Sequence, residues 1–293
     1  MSSAWASAIN SDVTITARAN ISVLVDAAHA VASSPATGNA AQNATVTLIS
    51  GGVTSITSVE GSLAVHGQLP LGGPLLNLGD GIGITSTMNG YDNGQPATSD
   101  GLFGDYAFTL GNHSASHAYQ VSLRIDYANS VLASGPAVQP DGAFNIGLIT
   151  LTRGGTSLFF TNLTSDTAFG DKQDVRFTGT SGQNQDDSGV RTVNLTLQPG
   201  ETIELQGQQD LRGGASLNGA SYRGGLKAFI SLGGVSDLAM SASTASAPAD
   251  TQAMPKTADT GRSSRMRPLV WDLLVLAVIV LLILLVLLRR RRR

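Results

Sequence analysis

Tyr119 to Tyr127 reads YQVSLRIDY. Tyr119, Val121, Leu123, Ile125 and Tyr127 fall on one face, and Gln120, Ser122, Arg124 and Asp126 on the other. A strict period of two places one face of a strand in a core and the other in water. A helix would scatter the same residues around its circumference.

The pattern recurs on both sides of this stretch. Val13 to Ala17 and Ile21 to Val25 alternate, as do Ala44 to Ile49 and Ala107 to Leu110. Further on come Phe144 to Leu151, Ser157 to Phe160, Arg191 to Leu197, Thr202 to Leu205 and Leu226 to Leu232. Turn-forming clusters separate them, among them Gln139-Pro140-Asp141-Gly142 and Gln198-Pro199-Gly200. Val25 to Ser33 is the one short stretch with helical character. Many short alternating strands with turns between them predict a mainly β chain, an antiparallel β-sandwich of immunoglobulin-like kind. Residues 105–238 are the more regular part. Residues 1–104 are richer in Gly, Ser and Ala, and read as part of the same sandwich or as a small β-domain. The strand order and the Leu-Gln-Pro-Gly-Glu turn before Thr202 resemble the generic sandwich modules of bacterial surface proteins.

Composition narrows the function. Charged residues make up 13% of the 293, about half the usual share. Residues 1–261 carry 10 Lys and Arg against 20 Asp and Glu, and residues 262–293 carry 8 Arg against Asp272 alone. An acidic region without a basic stripe argues against nucleic acid as a partner. The absence of cysteine removes disulfides, thiolate catalysis and zinc-thiolate sites.

Leu269 to Leu288 (LVWDLLVLAVIVLLILLVLL) is apolar except for Asp272, and Arg289 to Arg293 follow it. A helix of this length rises about 30 Å, the thickness of a bilayer's hydrocarbon core. Asp272 falls in its first turn, where the helix dipole favours a negative charge, and Trp271 beside it suits the interface. Residues 269–288 are therefore expected to cross a membrane as one helix. Arg289, Arg290, Arg291, Arg292 and Arg293 outweigh Arg262, Arg265 and Arg267 on the other side. The positive-inside rule then leaves the C-terminus cytoplasmic and the N-terminal domain outside the cell, in the envelope. Residues 239–268 hold almost no large apolar side chains and read as a disordered stalk. Met1 to Asn20 lacks the basic start and apolar stretch of an export signal, although SAWASA looks like a cleavage region whose upstream part is missing. A tail-anchored protein with a cytoplasmic β-domain is the rival topology.

Ahead of the apolar run lie Met254, Pro255, Lys256, Thr257 and Ala258. With the run and the arginines they resemble the three-part sorting signal of sortase-anchored cell-wall proteins: Leu-Pro-x-Thr-Gly, an apolar helix and a basic tail. Met254 stands where that family has Leu, and Ala258 where it has Gly. The resemblance implies cleavage after Thr257 by a sortase-like enzyme. The layout also resembles the PEP-CTERM surface proteins, read by an exosortase, although their Pro-Glu-Pro element is absent here. Both resemblances cover residues 254–293 only.

The outer region offers little chemistry. His113 and His117 flank two serines in GNHSASHAY, an exposed polar loop rather than a metalloenzyme signature. No Gly-x-Ser-x-Gly elbow occurs, and Gly79-Asp80-Gly81-Ile82-Gly83 opens no strand–helix unit that would hold a cofactor. Asp80, Asp92, Asn93, Asp100 and Asp105 lie among glycines, an oxygen-rich composition that suits calcium as well as ordinary turns. Gln185-Asp186-Asp187 is a lesser case. The close acidic pairs, Asp186/Asp187 and Glu201/Glu204, lack the aromatic neighbours of a sugar-cleaving cleft. The expectation is a non-enzymatic, membrane- or wall-anchored surface protein with a structural or adhesive β-sandwich and no cofactor. A carbohydrate- or calcium-dependent ligand-binding module is the alternative.

Overall fold

The computed structural model describes residues 10–22 and 32–238. Those residues form fifteen strands and no helix. In chain order the strands are β1 (Val13–Ile21), β2 (Ala40–Ser50), β3 (Val53–Glu60), β4 (Ala64–His66), β5 (Leu71–Pro74), β6 (Gly81–Tyr91), β7 (Ala97–Asn112) and β8 (Ala118–Ser134). They continue with β9 (Ala143–Arg153), β10 (Thr156–Asp166), β11 (Lys172–Gln173), β12 (Arg176–Phe177), β13 (Gln185–Leu197), β14 (Thr202–Ala215) and β15 (Ser221–Leu238). The stretch with helical character falls mostly outside the described residues, as do the stalk, the apolar run and its arginines.

The strands make two antiparallel sheets. One has eight strands in the order β12-β11-β10-β9-β14-β7-β1-β5, and the other seven in the order β13-β8-β15-β6-β2-β3-β4. An immunoglobulin constant-type sandwich has four and three. The chain changes sheet at every step from β6 to β9 and again from β13 to β15. Strands from the first hundred residues are built into both sheets: β1 pairs with β7, and β6 with β15.

Alternation explains the layering. Tyr119, Val121, Leu123, Ile125 and Tyr127 of β8 are buried, while Arg124 between them is exposed. They join Ile15, Ile21, Val46, Ile84, Phe108, Leu110, Leu151, Leu205 and Ile230 in one core cluster between the sheets. Fully burying a side chain of this size stabilises the fold by about 1.5–3 kcal/mol.

Polar side chains pin the two sheets to each other. The Tyr106 hydroxyl on β7 accepts from the Ile84 N–H at 3.1 Å and donates to the Ala228 carbonyl at 3.2 Å. One phenol thus bridges facing residues of β6 and β15. Gln209 on β14 donates to Ile84 O at 3.1 Å, and Tyr222 on β15 donates to Ser99 on β7 at 3.0 Å. Because a buried polar group is costly without its partner, sliding one sheet over the other would lose these bonds at a cost.

Gly79 to Gly83, glycine-rich on paper, leads into the inner strand β6. A β-carbon on Gly83 would come within 2.7 Å of Ala228 O. Glycine is therefore what lets β6 lie close against β15 there.

Candidate binding surface

The described chain begins and ends on one side of the sandwich. The Asn10 amide donates to the Tyr119 hydroxyl at 3.2 Å, and that hydroxyl donates to Asp12 at 2.9 Å. Leu238, the last residue of β15, lies opposite Ala118, and Asp237 opposite Tyr119. His113 Nε2 sits 2.9 Å from Thr14 Oγ1, and His117 Nδ1 2.9 Å from Asp237. The His113 N–H also donates to Asp12 O at 2.7 Å and the His117 N–H to the Ser114 hydroxyl at 3.0 Å, so both histidines are tied into this end. His66 is on β4. His29 lies outside the described residues, as do Met254 to Ala258 and Arg289 to Arg293.

The acidic residues picked out in the sequence do not converge. Asp80 is buried and accepts backbone N–H bonds from Gly51, Leu76 and Asn77 at 2.8, 2.8 and 2.9 Å. Asp92, separated from it by the whole of β6, accepts from Gly94 N–H at 2.7 Å. Asn93 accepts from the Asn39 amide at 2.7 Å, and Asp105 accepts from Ser22 at 2.7 Å. Asp100 stands on β7. Glu201 closes the Gln198 turn at 2.8 Å and pairs with Arg153 at 3.0 Å, while Glu204 is exposed on β14. Asp187 accepts from the Tyr127 hydroxyl at 3.0 Å, and Asp186 accepts from the Asn184 amide. Among the described residues no three His, Asp or Glu side chains are grouped to hold a metal ion.

The surface that stands out was not signalled in the sequence. Beyond β10 the eight-stranded sheet is extended by the two-residue strands β11 and β12, joined through Asp174 and Val175. Both have positive φ, 46° and 64°. Asn-Gly or Asp-Gly is the usual occupant of such a turn, because a β-carbon is strained in the left-handed region and a β-branched one more so. The Asp174 carboxylate helps to hold the turn by accepting from Asn162 N–H at 3.2 Å, and Asp174 N–H donates to Asn162 O at 2.8 Å. With Asp-Val in the turn and no long alternation around it, the hairpin leaves no sequence signature.

Val175 is 73% exposed, Phe177 66% and Phe169 in the preceding loop 54%. Lys172 lies opposite Phe177 in the ladder, its ammonium 4.6 Å from the ring centroid. Gln173, Asp174, Arg176, Phe177 and Thr178 line an open concavity of about 600 Å³. Two cations, an exposed aromatic ring and an apolar tip suit recognition by contact. Beneath them Asp171 anchors the loops, fully buried. It accepts backbone N–H bonds from Asp166, Gly182 and Gln183 at 2.9, 2.8 and 3.0 Å, and the Thr180 hydroxyl at 2.8 Å. These charge-assisted bonds tie the segments on either side of the hairpin to one carboxylate.

No protein-family profile matches the chain, and no curated protein does. Three of the solved structures found by shape belong to infectious bursal disease virus. The VP2 subviral particle is 10% identical, with 75% of this chain and 64% of that one covered at a TM-score of 0.15. The Gt strain structure is 11% identical, with 75% and 65% covered at a TM-score of 0.13. The Gx strain structure is 16% identical, with 77% and 64% covered at a TM-score of 0.12. The chain thus spans just under two thirds of the length of these proteins. Overlaps of that quality carry no argument about fold or role.

Proposed function

We propose that this is an exported surface protein, held in the membrane by residues 269–288 or transferred to the wall after Thr257, whose β-sandwich serves a structural or adhesive purpose. The carrying observation is the order of parts along the chain. A sandwich with one core closes at Leu238. Some thirty residues poor in large apolar side chains follow it, then the apolar run and five arginines. Two further features support the reading. The chain leaves the sandwich beside Ala118, so the loops around Phe169 at the other end of β8 and β10 are clear of that exit. The exposed residues there include Phe169, Phe177 and Arg176, aromatic and arginine side chains of the types enriched at protein–protein contacts.

Protease treatment of intact cells and of spheroplasts tests the proposal. The expected result is loss of residues 10–238 from intact cells while an epitope behind Arg293 survives until the membrane is opened. Full protection of the sandwich in intact cells would overturn it in favour of the tail-anchored topology. Replacing Thr257 by Ala then separates the two modes of retention, because only wall transfer depends on that residue.

A further inference from the structure

The edge of the seven-stranded sheet invites a partner. β13 pairs with β8 along Gln185–Leu197, and among the described residues no strand pairs with its other side. Its inward positions Val193, Leu195 and Leu197 are buried, but from Ser188 to Thr192 five consecutive residues are exposed whichever way they point. This half of the strand therefore stands clear of the opposite sheet. Exposed edges are usually blunted by charge, proline or a bulge, since their free N–H and C=O groups template another strand. β13 contains no proline and shows no register shift against β8.

Its charges are placed so that they repel most strands and suit one. Asp187 and Arg191 lie two residues either side of Gly189, all three of the same parity. Suppose a second copy runs antiparallel along this edge about a two-fold axis at Gly189. Asp187 of each copy then lies directly opposite Arg191 of the other. Asp186 meets Thr192, Ser188 meets Val190, and Gln185 meets Val193. Opposite charges facing across a ladder attract and like charges repel, so this register is favoured over a slipped one. Val190, 51% exposed, would lose much of that exposure against its partner. Gly189 at the axis brings no side chain to obstruct the approach, and the ring of Tyr127 lies over it, with carbon atoms 3.6 and 3.8 Å from where a β-carbon would be. That ring supports a bare glycine in an edge strand from behind.

We infer that β13 is a self-association edge: two copies of this chain join antiparallel about Gly189 into one continuous sheet, with reciprocal Asp187–Arg191 pairs. The contact is isologous, so it closes at two copies and does not propagate into a fibre. It lies on a different edge of the sandwich from β4 and β5 and leaves those strands free.

The test uses the full chain in mild detergent, followed by sedimentation at increasing protein concentration. The wild type is expected to dimerise. Asp187→Arg and Arg191→Asp alone each set like charges opposite at both symmetric positions, and weaken the dimer by about tenfold or more. An equimolar mixture of the two variants, and the double variant Asp187→Arg/Arg191→Asp, should both regain it, because opposite charges face each other again. A wild type that stays monomeric would overturn the inference. So would a dimer indifferent to the single charge changes, as expected if the apolar run alone brought chains together, or a double variant that fails to recover. Since the chain has no cysteine, the register can be read separately. Residues directly opposite in an antiparallel ladder are about 4.5–5.5 Å apart at Cα, within disulfide reach. Gly189→Cys should give a covalent dimer under mild oxidation, and Thr192→Cys should not. The reverse outcome would sink the two-fold register.

Discussion

The side chain of Asn145 on β9 fills the space that glycine leaves at position 224 of β15. A β-carbon on Gly224 would overlap its Oδ1. Asn129 on β8 stands in the same relation to Gly147 on β9. Each amide donates to a backbone carbonyl at 2.8 Å, Asn145 to Arg212 and Asn129 to Gly147. Neither Oδ1 has an N–H or O–H donor. Each instead faces a glycine and occupies the space its missing β-carbon leaves. The pairing of a buried Asn with a facing Gly occurs at two places in the core, so it is a means of joining strands and not an accident of one site.

Alanine at Gly224 or Gly147 should therefore destabilise the fold by about 1–3 kcal/mol through overpacking, although alanine is otherwise a mild replacement in a strand. Asn145→Ala should also destabilise, since it frees the Arg212 carbonyl from its donor. The double variant Gly224→Ala/Asn145→Ala should lose less than the sum of the two, because the clash disappears with the amide. Urea unfolding midpoints of the three variants check this. Strict additivity would show that the glycine serves another purpose.

The strands that the sequence disclosed were those with an unbroken period of two, and Tyr119 to Tyr127 is the clearest. β6 was hidden for a physical reason. Gly81, Gly83 and Gly90 give GIGITSTMNGY the composition of a loop, yet each stands where a side chain would strike β15. Close strand approach and loop freedom require the same residue, and one sequence does not distinguish them. Asp80 and Asp92 were legible as turn residues for the same Asx chemistry that made them look like calcium ligands. The hairpin at Asp174 and Val175 could not be read, since its turn type contradicts local preference. The edge at Gly189 needed the knowledge that β13 is an edge.

Val175 offers a substitution that should raise stability. A β-branched residue at φ 64° pays about 1–2 kcal/mol in steric strain, and glycine would relieve it against an added chain-entropy cost of about 0.5–1 kcal/mol. Val175→Gly should thus gain a few tenths to about 1 kcal/mol, a rise in Tm of a few degrees at most for a chain of this size. If the hairpin tip acts in adhesion, the same variant should bind its surface less well. Calorimetry and a cell-adhesion assay on one preparation measure both. A variant less stable than the wild type would show that Val175 makes contacts outweighing its strain.

Asp171 should be among the most sensitive positions on the candidate surface. Asp171→Ala would leave the N–H groups of Asp166 and Gln183 without their acceptor, while the Gly182 N–H would keep the Asp166 carbonyl and the Thr180 hydroxyl would keep Thr178. Each stranded donor costs about 1–3 kcal/mol unless the loop opens to water. Opening is the cheaper outcome, so damage should concentrate in residues 166–184 and spare the core. Hydrogen exchange should show lost protection at Asp166 and Gln183, with Ile125 and Ile230 unchanged. Uniform loss across the sandwich would show that these loops unfold together with the core.

Stability should fall at alkaline pH, and tyrosines set where. Burial raises the phenol of Tyr106 well above its ordinary value near 10, more than the bonds to Ile84 and Gln209 lower it. Burial raises Tyr222 as well, with the Asp100 charge adding to it and the Ser99 hydrogen bond opposing it. It also raises Tyr127, assisted by the hydrogen bond and charge of Asp187 and opposed by Arg191. For an acid held neutral by the fold, the unfolded chain releases its proton first. Between the unfolded pKa and the raised folded one, the native state binds more protons, so unfolding becomes easier with each step in pH. Stability should be level in this respect below about pH 9 and decline from about pH 10 upward. Tyr106→Phe removes one contributor. At neutral pH it should lose about 1–2 kcal/mol, the hydroxyl's bonds to Ile84 N–H and Ala228 O, and its decline above pH 10 should be shallower. Urea midpoints from pH 8 to pH 11 compare the slopes. Parallel declines in the two proteins would mean that Tyr106 ionises as readily in the fold as out of it, and that the bridge between β6 and β15 is open to water.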